Sequence, residues 1–128
     1  MAESNVEMVR RGFSAVMAGD LKVLEEILDP EVKWHGREGL GSDSCHNREQ
    51  ALRFMRRARA QGRGELVDVI DCGEQVVVVM RPPAKDDGKR PALRANLTTF
   101  RNGKVIRMVA YDTPEAALAA AGKQEVRE

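Results

Sequence analysis

The sequence predicts an α+β fold in which a curved, mainly antiparallel mixed sheet wraps around N-terminal helices. Before residue 60, apolar residues recur at spacings of three and four, which is typical of amphipathic helices. Between residues 66 and 111 they alternate or run continuously between turn signals, which is typical of strands. A chain of 128 residues with 42% hydrophobic content suits one domain with its own core, so we expect a single domain over residues 1–128.

The composition argues against several classes of function. The chain carries 21 Lys and Arg against 20 Asp and Glu, and no segment concentrates the positive charge, so we expect no nucleic-acid partner. The longest apolar run, residues 76–80, is far shorter than the ~20 residues that span a membrane, and we expect no membrane partner. Two cysteines and an N-terminus without a secretory signal favour a cytoplasmic location.

The first helix is predicted over about residues 5–18. Ser4 and Glu7 have the S-x-x-E spacing of a capping box, and Gly19 favours a left-handed stop. The apolar face between them consists of Val6, Val9, Phe13, Val16 and Met17.

A second, shorter helix is expected to start at an Asp20 cap, to carry the apolar stripe of residues 21–28 and to end at Asp29-Pro30. Val32 and Trp34 then follow the two-residue period of a short strand, before glycines at 36, 39 and 41 open a loop.

A third helix is predicted after an Asn47 cap. Its inner face consists of Ala51, Leu52, Phe54, Met55 and Ala58. Its other side carries Arg48, Arg53, Arg56, Arg57 and Arg59, which we interpret as a solvated face.

The second half of the chain predicts a four-strand antiparallel meander. Residues 66–70 and 76–80 form the first hairpin, and the proline-containing segment 82–91 is expected to be an exposed connection. The second hairpin is formed by residues 93–100 and 105–111, which flank a turn at Asn102-Gly103 that supplies positive φ angles. A short helix over residues 115–121, closed by Gly122, is predicted to end the fold.

Five segments, in this order, resemble one known superfamily. They are Asn5–Arg11, Ala18–Leu21, Leu28–His35, Phe100–Ile106 and Tyr111–Gly122. Over about residues 4–122 they resemble the nuclear transport factor 2-like superfamily, in its SnoaL-like branch. The resemblance implies a cone-shaped roll enclosing an apolar pocket, and a homodimer formed through the outer face of the sheet.

The superfamily includes steroid Δ-isomerases, polyketide cyclases, dehydratases and epoxide hydrolases, together with members that only bind. The isomerases use a tyrosine, a carboxylate base and a protonated aspartate that donates to an oxyanion. By this resemblance the tyrosine falls on Gly12, the base falls near His35, and the buried acid falls on Asn96. Because the base and the tyrosine are missing, ketosteroid isomerisation by that constellation is not expected.

Three hypotheses remain open from the residues. The first is a cofactor-independent cyclase, isomerase or hydrolase in which His35 or, as the resemblance to the polyketide cyclases implies, Asp112 transfers a proton. The resemblance also implies that Asn96 stabilises an oxyanion. Alternation along the strand, however, places His35 opposite Trp34.

The second hypothesis, which the pattern slightly favours, is a pocket that binds a small apolar molecule. Its predicted ligand-binding residues are Phe13, Trp34, Phe54, Asn96, Thr98 and Met108. The third is a structural or interaction protein with a collapsed pocket. The spacings of a structural zinc site and of a phosphate or dinucleotide loop are absent from the sequence, so we expect no metal and no cofactor.

Overall fold

The computed structural model describes residues 4–35, 45–60, 64–82 and 92–125. Its elements are α1 (Asn5–Ala18), α2 (Leu21–Ile27), β1 (Leu28–His35), α3 (Arg48–Ala60), β2 (Glu65–Asp71), β3 (Gln75–Arg81), β4 (Arg94–Arg101), β5 (Lys104–Tyr111) and α4 (Pro114–Glu125). The strands form one sheet in the order β1-β5-β4-β3-β2, in which β2 to β5 are the predicted meander and β1 runs parallel to β5. The α+β prediction is confirmed. The glycine loop predicted at 36–41, and all but the first residue of the predicted connection 82–91, lie outside the described residues.

The boundaries of α1 follow from its caps. Glu7 N donates to Ser4 Oγ at 3.0 Å, and Ser4 N donates to Glu7 Oε1 at 2.9 Å, which completes the predicted capping box. At the other end Gly19 has φ 76°, and the Asp20 N–H closes the helix by donating to Ala15 O at 2.8 Å.

The prediction that the Asp20 side chain caps α2 is wrong, since it makes no capping hydrogen bond. Its backbone is already used to close α1, and its ψ of 92° differs from the 161° of the working cap at Ser4.

The first strand begins earlier than predicted. Leu28, expected as the last apolar residue of α2, is the first residue of β1, and Pro30 lies inside the strand. Proline lacks an N–H donor and is tolerated at sheet edges and irregularities. Both conditions hold here, because β1 is an edge strand and its register shifts between Leu28 and Lys33.

The β4–β5 hairpin turns at Asn102 (φ 53°) and Gly103 (φ 77°), as predicted. A Cβ added at Gly103 would meet no atom within 4 Å, so the cost of a side chain there comes from the positive φ angle of the backbone. We expect Gly103→Ala to lower the free energy of unfolding by about 1–2 kcal/mol, measured by urea denaturation. Asn102→Gly, which keeps the turn geometry, should change it by less than about 0.5 kcal/mol. Equal stability of Gly103→Ala and the wild type would contradict this account of the turn.

The two faces of the sheet are covered differently. Helices α1, α2 and α3 pack on the inner side, whereas α4 packs on β3 and β4 from the outer side. The outer core joins two helix alanines to strand residues: Ala117, Ala121, Val77, Val79, Ala95 and Leu97. No helix of the described segments is long and apolar enough to cross a membrane.

The prediction that Gly122 closes the last helix is wrong, because α4 continues to Glu125. A helical glycine costs about 1 kcal/mol relative to alanine but does not force an end, and the buried Ala121 holds this turn on the sheet.

The homodimer through the outer sheet face stays a prediction, and α4 restricts the area left for it. Helix α4 covers the part of that face formed by β3 and β4. On the neighbouring strands the exposed Lys33 and Arg107 are register partners, so this part of the sheet carries adjacent positive charges.

Candidate functional site

A cavity of about 350 Å³ lies between the inner face of the sheet and the helices. All six residues predicted to bind a ligand line it: Phe13, Trp34, Phe54, Asn96, Thr98 and Met108. All five methionines of the described residues also line it: Met8, Met17, Met55, Met80 and Met108. Methionine is flexible and polarisable, so this wall can adapt to the shape of an apolar molecule.

Strand β4 supplies the polar part of the lining by simple alternation. Arg94, Asn96 and Thr98 line the cavity, whereas Ala95 and Leu97 belong to the outer core under α4. The polar face of this strand therefore points into the cavity.

Asn96 and Thr98 form a buried polar pair on this apolar wall. They are 7% and 4% exposed, and Thr98 Oγ1 donates to Asn96 Oδ1 at 2.6 Å. Among the described residues, this is the hydrogen bond that the Asn96 carboxamide makes. Its NH₂ donors and the remaining lone pairs of Thr98 Oγ1 are thus available to a molecule in the cavity.

The aromatic side of the cavity is formed by Trp34 on β1 and Phe54 on α3. Their ring centroids lie 5.0 Å apart with the planes tilted by 49°, within the range of favourable aromatic pairs. Trp34 is further positioned by two backbone hydrogen bonds with Cys45, of 2.9 and 2.8 Å. These bonds tie β1 to the chain segment that enters α3.

The predicted acid–base residues lie elsewhere. His35, the last residue of β1, is exposed, and so is Asp112, which directly follows the end of β5. Neither lines the cavity, so the structure does not bring them together with Asn96. In the described part of the chain, no three His, Cys, Asp or Glu side chains cluster as a metal site requires.

Gly12, on which the resemblance places the isomerase tyrosine, lines the cavity in the middle of α1. An ideal Cβ there would lie 3.5 Å from Ile27 Cδ1 and 3.8 Å from Leu24 Cδ2, which are ordinary contacts. The site therefore has room for a side chain at this position, and the glycine leaves that room to the cavity.

The two charged residues among the described lining, Arg81 and Arg94, were not among the residues predicted to bind a ligand. Arg94 shares the strand face of Asn96, so its alternation was a usable signal. Arg81 ends β3 beside Pro82, and no periodic pattern marked it.

Comparison with known proteins gives one family match. The family model of the SnoaL-like domain matches residues 9–108. No curated protein matches the sequence at a significant level.

Solved structures with a similar fold include Bal32a, from a soil-derived mobile gene cassette. It is 28% identical, has a TM-score of 0.71, and the alignment covers 89% of this chain and 92% of that one. A putative polyketide cyclase from Sinorhizobium meliloti is 20% identical and has a TM-score of 0.66. The alignment covers 81% of this chain and 93% of the cyclase. TerC, co-crystallised with polyporic acid, is 20% identical and has a TM-score of 0.67. The alignment covers 92% of this chain and 98% of TerC. The last two likenesses concern the fold alone.

Proposed function

We propose that this chain, which belongs to the SnoaL-like domain family, binds a small apolar or amphipathic molecule in the cavity between its sheet and helices. The observation that carries the proposal is that six residues chosen from the sequence line one cavity of about 350 Å³. An apolar and aromatic lining with a few convergent polar groups is typical of small-molecule sites. The volume exceeds twice the ~150 Å³ of an apolar cavity that holds benzene, so a molecule of two or three rings fits.

Binding is better supported than acid–base catalysis. A proton-transfer enzyme needs a carboxylate, an imidazole or a similar group within hydrogen-bond reach of the substrate. None of the described residues that line the cavity carries a carboxylate or an imidazole. The interaction-only hypothesis predicts a collapsed interior, which the cavity volume does not favour.

The test uses N-phenyl-1-naphthylamine, an uncharged three-ring dye whose fluorescence rises in apolar surroundings. We expect the wild-type protein to bind it and Gly12→Phe to weaken binding at least about tenfold, because the new ring occupies the space beside Ile27 and Leu24. Fluorescence titration measures both affinities.

Gly12→Ala is the matched control, since it adds only a methyl group at ordinary contact distance. It should keep dye binding and raise the free energy of unfolding by up to about 1 kcal/mol through helix propensity. Full dye binding by a folded Gly12→Phe protein would contradict the proposal, as would failure of the wild type to bind.

A further inference from the structure

The charges of the cavity lie at one end. Among the described lining residues, the charged ones are Arg81, the last residue of β3, and Arg94, the first residue of β4. The two strands pair there, with Met80 opposite Arg94. The formal charge of this lining is therefore positive and confined to the strand ends.

At this end the lining includes a side chain that is exposed to solvent. Arg94 is exposed, whereas Asn96 and Thr98, farther along the same face of β4, are 7% and 4% exposed. Alternate strand residues are about 7 Å apart, so along β4 Asn96 lies roughly that far from Arg94 and Thr98 about twice as far. A molecule bound in the cavity can therefore place one end beside the Arg94 guanidinium group, in contact with solvent.

The two arginines do not contribute equally. Arg81 Nε lies 3.7 Å from Glu65 Oε1, so an acidic side chain already offsets part of its charge. Among the described residues, no carboxylate lies within ion-pair distance of Arg94. Arg94 is thus the positive charge that an incoming anionic group meets.

We infer that the ligand is an apolar monocarboxylate, held with its carboxylate at Arg94 and its apolar body against the aromatic and methionine wall. This inference rests on the proposed function. A guanidinium group offers a planar fork of N–H donors that matches the two oxygens of a carboxylate. The charged end stays in contact with solvent, so it avoids most of the desolvation cost of a buried ion pair.

The experiment compares two competitors with the same apolar body, dodecanoate and 1-dodecanol, as displacers of N-phenyl-1-naphthylamine. In the wild type we expect dodecanoate to displace the dye at lower concentration than 1-dodecanol. The preference is the ratio of the 1-dodecanol concentration to the dodecanoate concentration that displaces half of the dye. Arg94→Met keeps much of the apolar stem and removes the charge, so this preference should fall by about threefold to tenfold. The preference of the wild type should also fall as salt is added, because the pair is solvent-exposed.

Arg107→Met is the matched control. Arg107 is an exposed arginine on β5 that does not line the cavity, so its removal changes the net charge equally and should leave the preference unchanged. Dye affinity measured in both variants shows whether the cavity itself is intact.

The outcomes separate the two ideas. If the dye binds and the two competitors are equally effective, or if Arg94→Met and Arg107→Met lose the preference equally, the carboxylate inference fails and the proposed function stands. If the wild type does not bind the dye, the proposed function fails and the inference fails with it.

Discussion

Replacing Trp34 with alanine is expected to lower the free energy of unfolding by about 3 kcal/mol. The indole packs against the inner core and forms part of the cavity wall, and its ring centroid lies 5.0 Å from that of Phe54. Its removal enlarges a cavity that is already about 350 Å³, and a larger void has fewer packed atoms to stabilise the surrounding side chains. Urea denaturation monitored by far-UV circular dichroism measures the loss, since the variant has no tryptophan to follow.

A double-mutant cycle with Phe54→Ala isolates the ring contact from the rest of the packing. We expect a coupling energy of about 0.5–1.5 kcal/mol between the two positions. Trp34→Phe, which keeps an aromatic ring, should retain most of the stability. A loss below about 1 kcal/mol for Trp34→Ala would mean that the tryptophan does not support the wall in the way the structure implies.

The elements best predicted from the sequence are those set by local chemistry. The Ser4–Glu7 capping box, the left-handed Gly19 and the Asn102-Gly103 turn act over three or four residues, and the structure contains all three. The resemblance to the SnoaL-like branch is confirmed by the family match over residues 9–108.

The boundaries that prediction missed are set by distant parts of the chain. Leu28 has the spacing of an α2 residue, but pairing of β1 with β5 extends the strand back to it. Gly122 has the composition of a helix stop, but packing of Ala121 on the sheet lets α4 continue. Tertiary contacts outweigh local propensity in both cases, because the propensities involved are about 1 kcal/mol or less.

Part of the candidate site could also be predicted from local sequence patterns. Alternation on β4 was enough to put Asn96 and Thr98 on one face, and alternation on β1 was enough to put His35 away from Trp34. Alternation within a strand does not tell which face of the sheet helices α1 to α3 cover, because that depends on how the sheet packs. The position of Arg81 beside Arg94, at one end of the cavity, likewise follows from the pairing of β3 with its neighbours.

Asn96→Asp is expected to make stability depend strongly on pH. Asn96 is 7% exposed on an apolar wall, so a carboxyl placed there loses solvation and its folded-state pKa rises above the unfolded value of about 3.9. The exposed Arg94 on the same face offsets part of this rise. A net rise of about two pH units corresponds to roughly 2.7 kcal/mol lost once the pH exceeds the folded-state pKa.

The direction of the pH dependence distinguishes this mechanism from simple loss of packing. At pH about 3.5 most of the introduced carboxyl is protonated in both states, and it can keep a hydrogen bond with Thr98, so the variant should approach wild-type stability. As the pH rises, the unfolded chain ionises first and the variant loses stability until the folded state ionises as well. Asn102→Asp makes the same change in an exposed turn and should show no comparable loss. Urea denaturation of the three proteins between pH 3.5 and 8 measures the difference, and a pH-independent gap between Asn96→Asp and the wild type would show that Asn96 does not face a water-poor cavity.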